Sequence, residues 1–293
     1  MIYYLMSVLA AVGCAGNFAV TKVYQKRMGN GMRAGVIFNV IVGFFAAVMF
    51  FAATGFKWEC TPFSLLIATL FTLLVGTYTM IGFKIMSMGS MTVYTVFLML
   101  GGAVVPYLYG IAFLGETVNI QKIFALLLVV FAVLLNLSGE KGKKKSVKFI
   151  VLCFAVFLLN GGVSVVSKLH QIETNYATVS ASAFVMLKSL VRFVLFGIAF
   201  LFFGKKDCET ECPKLNLMMY AVMAASALIS GIAYFLQLVG AEHMPATVLY
   251  PVVTGGTIVF SAAFDHICFK QYFSVKTLIG VVACVLSLIL FVI

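Results

Sequence analysis

Acidic side chains are scarce in this chain: nine Asp and Glu stand against twenty Lys and Arg in 293 residues. Charged residues of both signs make up only 10%, where a soluble domain carries about 25%. That shortage excludes a molecule solvated on all sides. Ten-residue segments of alternating hydrophobicity are also missing, which excludes a membrane β-barrel. The chain has three histidines and no His-Glu-x-x-His pair, no phosphate-binding glycine loop ending in Lys-Ser/Thr, and no Gly-x-Ser-x-Gly elbow. The common signatures of metal hydrolysis, nucleotide hydrolysis and serine nucleophiles are therefore absent. No stretch is polar enough to form the soluble nucleotide domain of an ATP-driven pump. An enzyme is not expected, nor is a cofactor.

What is abundant is apolar. Hydrophobic residues make up 63% of the chain, in runs close to the twenty residues that span about 30 Å of hydrocarbon. The runs predict helices over 2–23, 34–54, 63–83, 91–113, 120–138, 148–169, 178–203, 216–239, 246–267 and 275–293. In lipid the backbone can satisfy its polar groups only internally, so each run must be helical. The expectation is an all-α, multi-pass protein of the cell membrane with ten transmembrane helices.

The net charge of +11 points to topology rather than to nucleic acid. Fifteen of the twenty Lys and Arg lie in or beside odd-numbered loops, and only Lys57, Lys122 and Lys168 lie on the other side. Such asymmetry marks the cytoplasmic face and puts both termini outside. The start, Met1-Ile2-Tyr3-Tyr4, carries no cation before the first run, unlike a cleaved signal peptide. Cys208 and Cys212 share a loop with three acids, a weak metal pattern more simply read as free thiols or a local disulfide.

Ten segments divide into two fives: a first repeat over 1–138, a basic linker over 139–147 and a second repeat over 148–293. A spacing of 154 residues carries Gly101-Gly102 to Gly255-Gly256, Lys122 to Lys276 and Leu134 to Leu288. A spacing of 146 carries Gly16, Val20, Lys22 and Gln25 to Gly162, Val166, Lys168 and Gln171. Five is odd, so the second repeat enters from the opposite face. Inverted repeats of this kind occur in secondary transporters, with the solute site near the bilayer midplane.

Asn17-Phe18 followed by Lys22, and the block from Gly89-Ser90 through Pro106, Gly110, Phe113-Leu114-Gly115-Glu116 to Gln121, resemble the drug/metabolite transporter superfamily in its EamA-like ten-helix branch. The resemblance spans the chain and implies solute transport, but does not indicate the substrate. It departs at Cys14, where an aromatic is usual, and at Phe269-Lys270, the counterpart of Gly115-Glu116. It also implies that both termini are cytoplasmic, opposite to the charge count.

Lys188 and Arg192 are the sharpest local signal. Four residues apart, they share one face near the middle of the seventh run, and each costs roughly 2.5–3.5 kcal/mol at the bilayer centre on insertion scales. Val42 and Ala46 occupy the equivalent places in the first half, so the cations break the repeat. They are candidates to bind a carboxylate or phosphate. Asn17, Asn39, Asn160, Ser164, Tyr234, Gln237, Tyr250 and Thr254 are further candidate solute ligands, because each interrupts an apolar helix with a polar group. Asp265 is a candidate coupling group, and the histidines are expected near the interfaces. Gly101-Gly102 and Gly255-Gly256 should serve close helix approach. Lys22 and Lys168 are expected to snorkel or cap helix ends, and Glu116 to cap a helix start. The expected function is alternating-access transport of a small polar metabolite, anionic or zwitterionic, by a monomer or homodimer in the lipid bilayer. The alternatives are export of cationic or lipophilic drugs, flipping of a lipid-linked substrate, a membrane-embedded enzyme or an assembly subunit.

Overall fold

The computed structural model describes residues 1–29, 31–88, 91–135, 147–203, 215–270 and 275–292. The linker over 139–146, Gly89-Ser90 and the Cys208–Cys212 loop lie outside the described residues. The helices are α1 (Ile2–Met28), α2 (Met32–Ala53), α3 (Pro62–Met88), α4 (Met91–Phe113), α5 (Ile120–Leu135), α6 (Val147–Ile172), α7 (Ala181–Phe203), α8 (Leu217–His243), α9 (Ala246–Phe269) and α10 (Val275–Val292). Among the described residues there is no strand.

Eight of the ten are long and apolar enough to cross a membrane, as a multi-pass membrane protein requires. The other two have shorter apolar stretches among the described residues, Ile120–Leu135 in α5 and Leu278–Phe291 in α10, and each helix borders residues outside the described ranges. Both are nonetheless apolar outside. Val275, Leu278, Ile279, Val282, Leu286 and Ile289 are exposed along one face of α10, at the three-to-four-residue period of a helix. An exposed apolar stripe of that length fits contact with lipid tails.

Polar residues set several helix starts. Asn119 Oδ1 accepts from Lys122 N at 2.9 Å, and Asn216 Oδ1 from Met219 N at 3.0 Å. Thr61 Oγ1 accepts from Ser64 N at 3.2 Å, just ahead of Pro62. These are N-caps that satisfy otherwise orphaned donors.

α9 starts differently. It follows Pro245, which has no side-chain cap to offer, and its first turn is buried. Glu116, in the α4–α5 turn, caps it from another part of the chain. The N–H groups of Ala246 and Thr247 donate to Glu116 Oε1 and Oε2 at 2.6 and 2.8 Å. Beside it, Lys168 Nζ donates to the carbonyls of Ala241 and Met244 at 2.6 and 2.7 Å, at the end of α8. An anion at a helix start and a cation at a helix end both oppose the local helix dipole. Glu116 and Lys168 thus hold the α8–α9 turn from both sides, in the capping roles expected of them.

Close packing runs through glycines. A Cβ on Gly101 would collide with the backbone carbonyl of Phe157 in α6, and one on Gly256 would come 2.8 Å from Ala11 Cβ in α1. The glycine pairs therefore act as close-approach points, as expected. α1 packs on α8 and α9, α6 on α3 and α4, α2 on α7 and α8, α3 on α7, α4 on α9, and α5 on α10.

Candidate functional site

The site is assembled where α2, α3 and α8 meet α7. α2 can reach α7 because Gly43 lacks a side chain: a Cβ there would lie 2.9 Å from Phe193 N and 3.1 Å from Ser189 O. One turn earlier on the same face of α2 stands Asn39, and this approach brings it to Arg192. Arg192 donates from both Nε and Nη2 to Asn39 Oδ1, at 2.9 and 2.6 Å. Asn39 is oriented in turn by its own Nδ2, which donates to Gly35 O at 2.7 Å.

Lys188, one turn before Arg192, takes a different partner. Its ammonium lies 3.7 Å from the centre of the Tyr234 ring in α8 and 5.1 Å from that of Phe71 in α3. Aromatic faces attract cations, and the attraction grows once water is removed. Tyr234 is held in place at its hydroxyl, 2.7 Å from Ser167 Oγ. Ser167 gives its proton to Val163 O, so the tyrosine is the donor in that pair.

Among the described residues, neither Lys188 nor Arg192 has a carboxylate within 4.0 Å, whereas Lys22 pairs with Asp265. These two cationic side chains therefore sit inside the bundle with no carboxylate beside them among the described residues. Both border a small cavity of about 30 Å³, lined also by Phe71, Thr72, Val75 and Ser189. A larger hollow, lined by Val118, Asn119, Phe124 and Leu290, lies on the outer flank of α5 and α10 and carries none of this chemistry.

Lys188, Arg192, Asn39 and Tyr234 are thus brought together. The other candidates divide. Asn17 accepts from Ser226 Oγ at 2.6 Å, Asn160 donates to Leu98 O at 2.7 Å, and Tyr250 donates to the carbonyl of Ser164 at 2.7 Å. These bonds tie α1 to α8, α6 to α4 and α9 to α6. Gln237 and Thr254 are half-buried and, among the described residues, make no side-chain hydrogen bond.

Asp265 stands apart from the cluster. It pairs with Lys22 at 2.6 Å near the far end of α9, with the two side chains 41% and 34% exposed. Of the two roles expected for Lys22, snorkelling or capping, its half-exposed ion pair fits the first, and its ammonium also lies 4.5 Å over the Phe269 ring. His243 and His266 are exposed, as their expected interfacial places imply, but His170 is 1% exposed. Its Nε2 is 2.9 Å from Ser64 Oγ, and its ring stacks on Phe184 at 3.9 Å. Here α6 runs on to Ile172 and is covered by the starts of α3 and α7, which buries the ring.

Sequence reasoning missed Phe71, Thr72 and Ser189 in the cavity wall. Ser189 carried a signal, since it directly follows Lys188; Phe71 carried none, being one of 29 phenylalanines.

No family model matches the chain, and no curated protein matches it. A solved structure described only as the crystal structure of a protein superposes with a TM-score of 0.77, covering 97% of this chain and 95% of that one at 12% identity. At that identity the likeness is one of fold, and this helical bundle is an architecture already seen by experiment.

Proposed function

We propose that the chain is a secondary transporter of the cell membrane that carries a small anionic or zwitterionic metabolite by alternating access. The observation that carries this reading is the pair of cations, Lys188 and Arg192, facing an internal cavity with no acid beside them among the described residues. Buried charges are normally paired, and intramembrane charges typically mark a solute or ion path. A passing anion would supply the missing charge.

The two-repeat, inverted arrangement is part of the same proposal, and helix packing supports it. Moving each helix five places along turns α1 on α8 into α6 on α3, and α1 on α9 into α6 on α4. It turns α2 on α8 into α7 on α3, and leaves α2 with α7, α4 with α9 and α5 with α10 as self-related pairs. All of these contacts occur. The resemblance to the EamA-like transporters fits the same plan. Burial along α9 supports a conformation closed at one end: Ala246 to Val253 are all buried, whereas Ile258 to Asp265 are all partly exposed. The closed end is the one held by Glu116 and Lys168.

The test is flux. Purified protein in sealed vesicles should take up labelled amino or organic acids faster than empty vesicles, and Arg192→Gln should abolish the difference at equal protein content. Unchanged uptake by that variant, or recovery of the solute in a chemically altered form, would refute the proposal.

A further inference from the structure

We propose that the cavity between α3 and α7 is an anchor for a single carboxylate group and rejects phosphate and sulfate esters. This rests on the transport reading for how a solute arrives, and it specifies what the solute must carry.

The first argument is the count of free donors. Thr72 and Ser189 line the cavity with hydroxyls, but both protons are already given to carbonyls: Thr72 to Ala68 O at 2.8 Å and Ser189 to Val185 O at 2.6 Å. Phe71 and Val75 have none to give. Only Lys188 and Arg192 remain. One side of the Lys188 ammonium is turned to the Tyr234 ring, and two of the five guanidinium N–H groups are spent on Asn39. What is left on Arg192 is the edge formed by Nη1 and the second Nη2 proton. That edge is a planar fork, matched to two oxygens of one carboxylate.

Charge and volume agree with the count. A phosphate monoester brings three terminal oxygens and up to two negative charges, and would leave lone pairs without protein donors in a buried site, which is costly. A cavity of about 30 Å³ holds about two waters, at 10–15 Å³ each by this kind of measure. It therefore has room for the two oxygens of a carboxylate rather than for a tetrahedral head. Asn39 is a positioning residue here, because it fixes which guanidinium edge faces the cavity.

The experiment is a thermal-shift concentration series on the purified full chain at constant ionic strength. Benzoate, succinate and glutamate are set against inorganic phosphate, sulfate and phenyl phosphate. A ligand bound to the folded state raises its apparent midpoint. At least one carboxylate should do so and the phosphate and sulfate probes should not. The carboxylate effect should vanish in Arg192→Gln and in Asn39→Asp. The aspartate in N39D keeps an acceptor for the guanidinium while cancelling its charge; it exchanges the Nδ2 bond to Gly35 O for an ion pair, and its ligand-free midpoint, read in the same series, shows that it folds. Stabilisation by phosphate or phenyl phosphate equal to that by carboxylates would overturn the proposal. So would carboxylate stabilisation that persists in N39D, or its absence throughout the series. Vesicle flux read in parallel separates the two ideas: a chain that carries phosphate esters remains a transporter, whereas one that binds carboxylates but carries nothing is not.

Discussion

Glu116→Gln should loosen the start of α9 more than any other single polar change outside the cation cluster. The glutamate accepts from two N–H groups, those of Ala246 and Thr247, and both residues are completely buried. Glutamine keeps one acceptor and turns an NH₂ toward the other donor. The loss is one charge-assisted hydrogen bond, about 1.5–3 kcal/mol, plus a charge at a helix N-terminus, about 0.3–1 kcal/mol. A net cost of about 2–4 kcal/mol corresponds to a rise in local opening of about 30- to 700-fold, at about 1.4 kcal/mol per factor of ten. Gly110 leaves the substitution little room to adjust, since a Cβ there would already lie 2.6 Å from Glu116 Oε2. Hydrogen exchange read by mass spectrometry on a peptide covering the first turn of α9 measures that opening directly. Protection in E116Q within about threefold of the parent would show that the carboxylate does not hold this helix.

Gly43→Ala should cost about 1–3 kcal/mol by overpacking, because backbone atoms of α7 block it, and it should weaken carboxylate stabilisation by moving Asn39 off Arg192. Gly16→Ala, whose nearest neighbour would be Ile229 Cγ2 at 3.6 Å, should leave the midpoint unchanged. Asp265→Asn breaks a half-exposed pair, so its stability effect should stay within about 1 kcal/mol; a large drop in the midpoint would mean that the pair holds α1 to α9. Tyr234→Phe keeps the aromatic face under Lys188 and should retain carboxylate binding, whereas Tyr234→Leu removes that face and should weaken it in a titration of the same probes.

Helix number was legible because hydropathy is a local property with a length scale set by the bilayer. Helix ends were less so. The first run was read to 23, but α1 continues to Met28, because Lys22, Lys26 and Arg27 end the hydropathy without ending the helix. Lys188 and Arg192 stood out because charge within an apolar run is expensive wherever it lies. Their neighbours did not: Asn39 and Arg192 are 153 positions apart, and which polar groups satisfy one another is decided by packing. The same is true of Asn17, Asn160 and Tyr250, where sequence shows a polar group in lipid but not whether another helix or a solute satisfies it. Glu116, whose place in a turn predicts a helix cap, caps a helix 130 positions away.

On the two-repeat reading, the cations sit where symmetry would be hardest to keep. α2 and α7 are a self-related pair, so the approximate two-fold axis passes between them. The first-half counterparts of Lys188 and Arg192 are Val42 and Ala46, which are 1% and 5% exposed, on the same stretch of α2 as Gly43. Cations at those two positions as well would put four like charges on α2 and α7, which touch at Gly43, two of them among Tyr24, Met219 and Met223. In a low-dielectric interior each pair repels strongly, and a single carboxylate could offset only a quarter of the total. Restricting the cations to one repeat leaves two, of which a bound anion would neutralise one while the Tyr234 ring faces the other. The lysines shared by both repeats can stay symmetric because they lie at opposite ends of the bundle, where each meets different partners. Lys168 is buried against the end of α8, and Lys22 is half-exposed beside Asp265. If the chain is the carrier proposed above, closed at one end, such a difference between equivalent residues is what it requires.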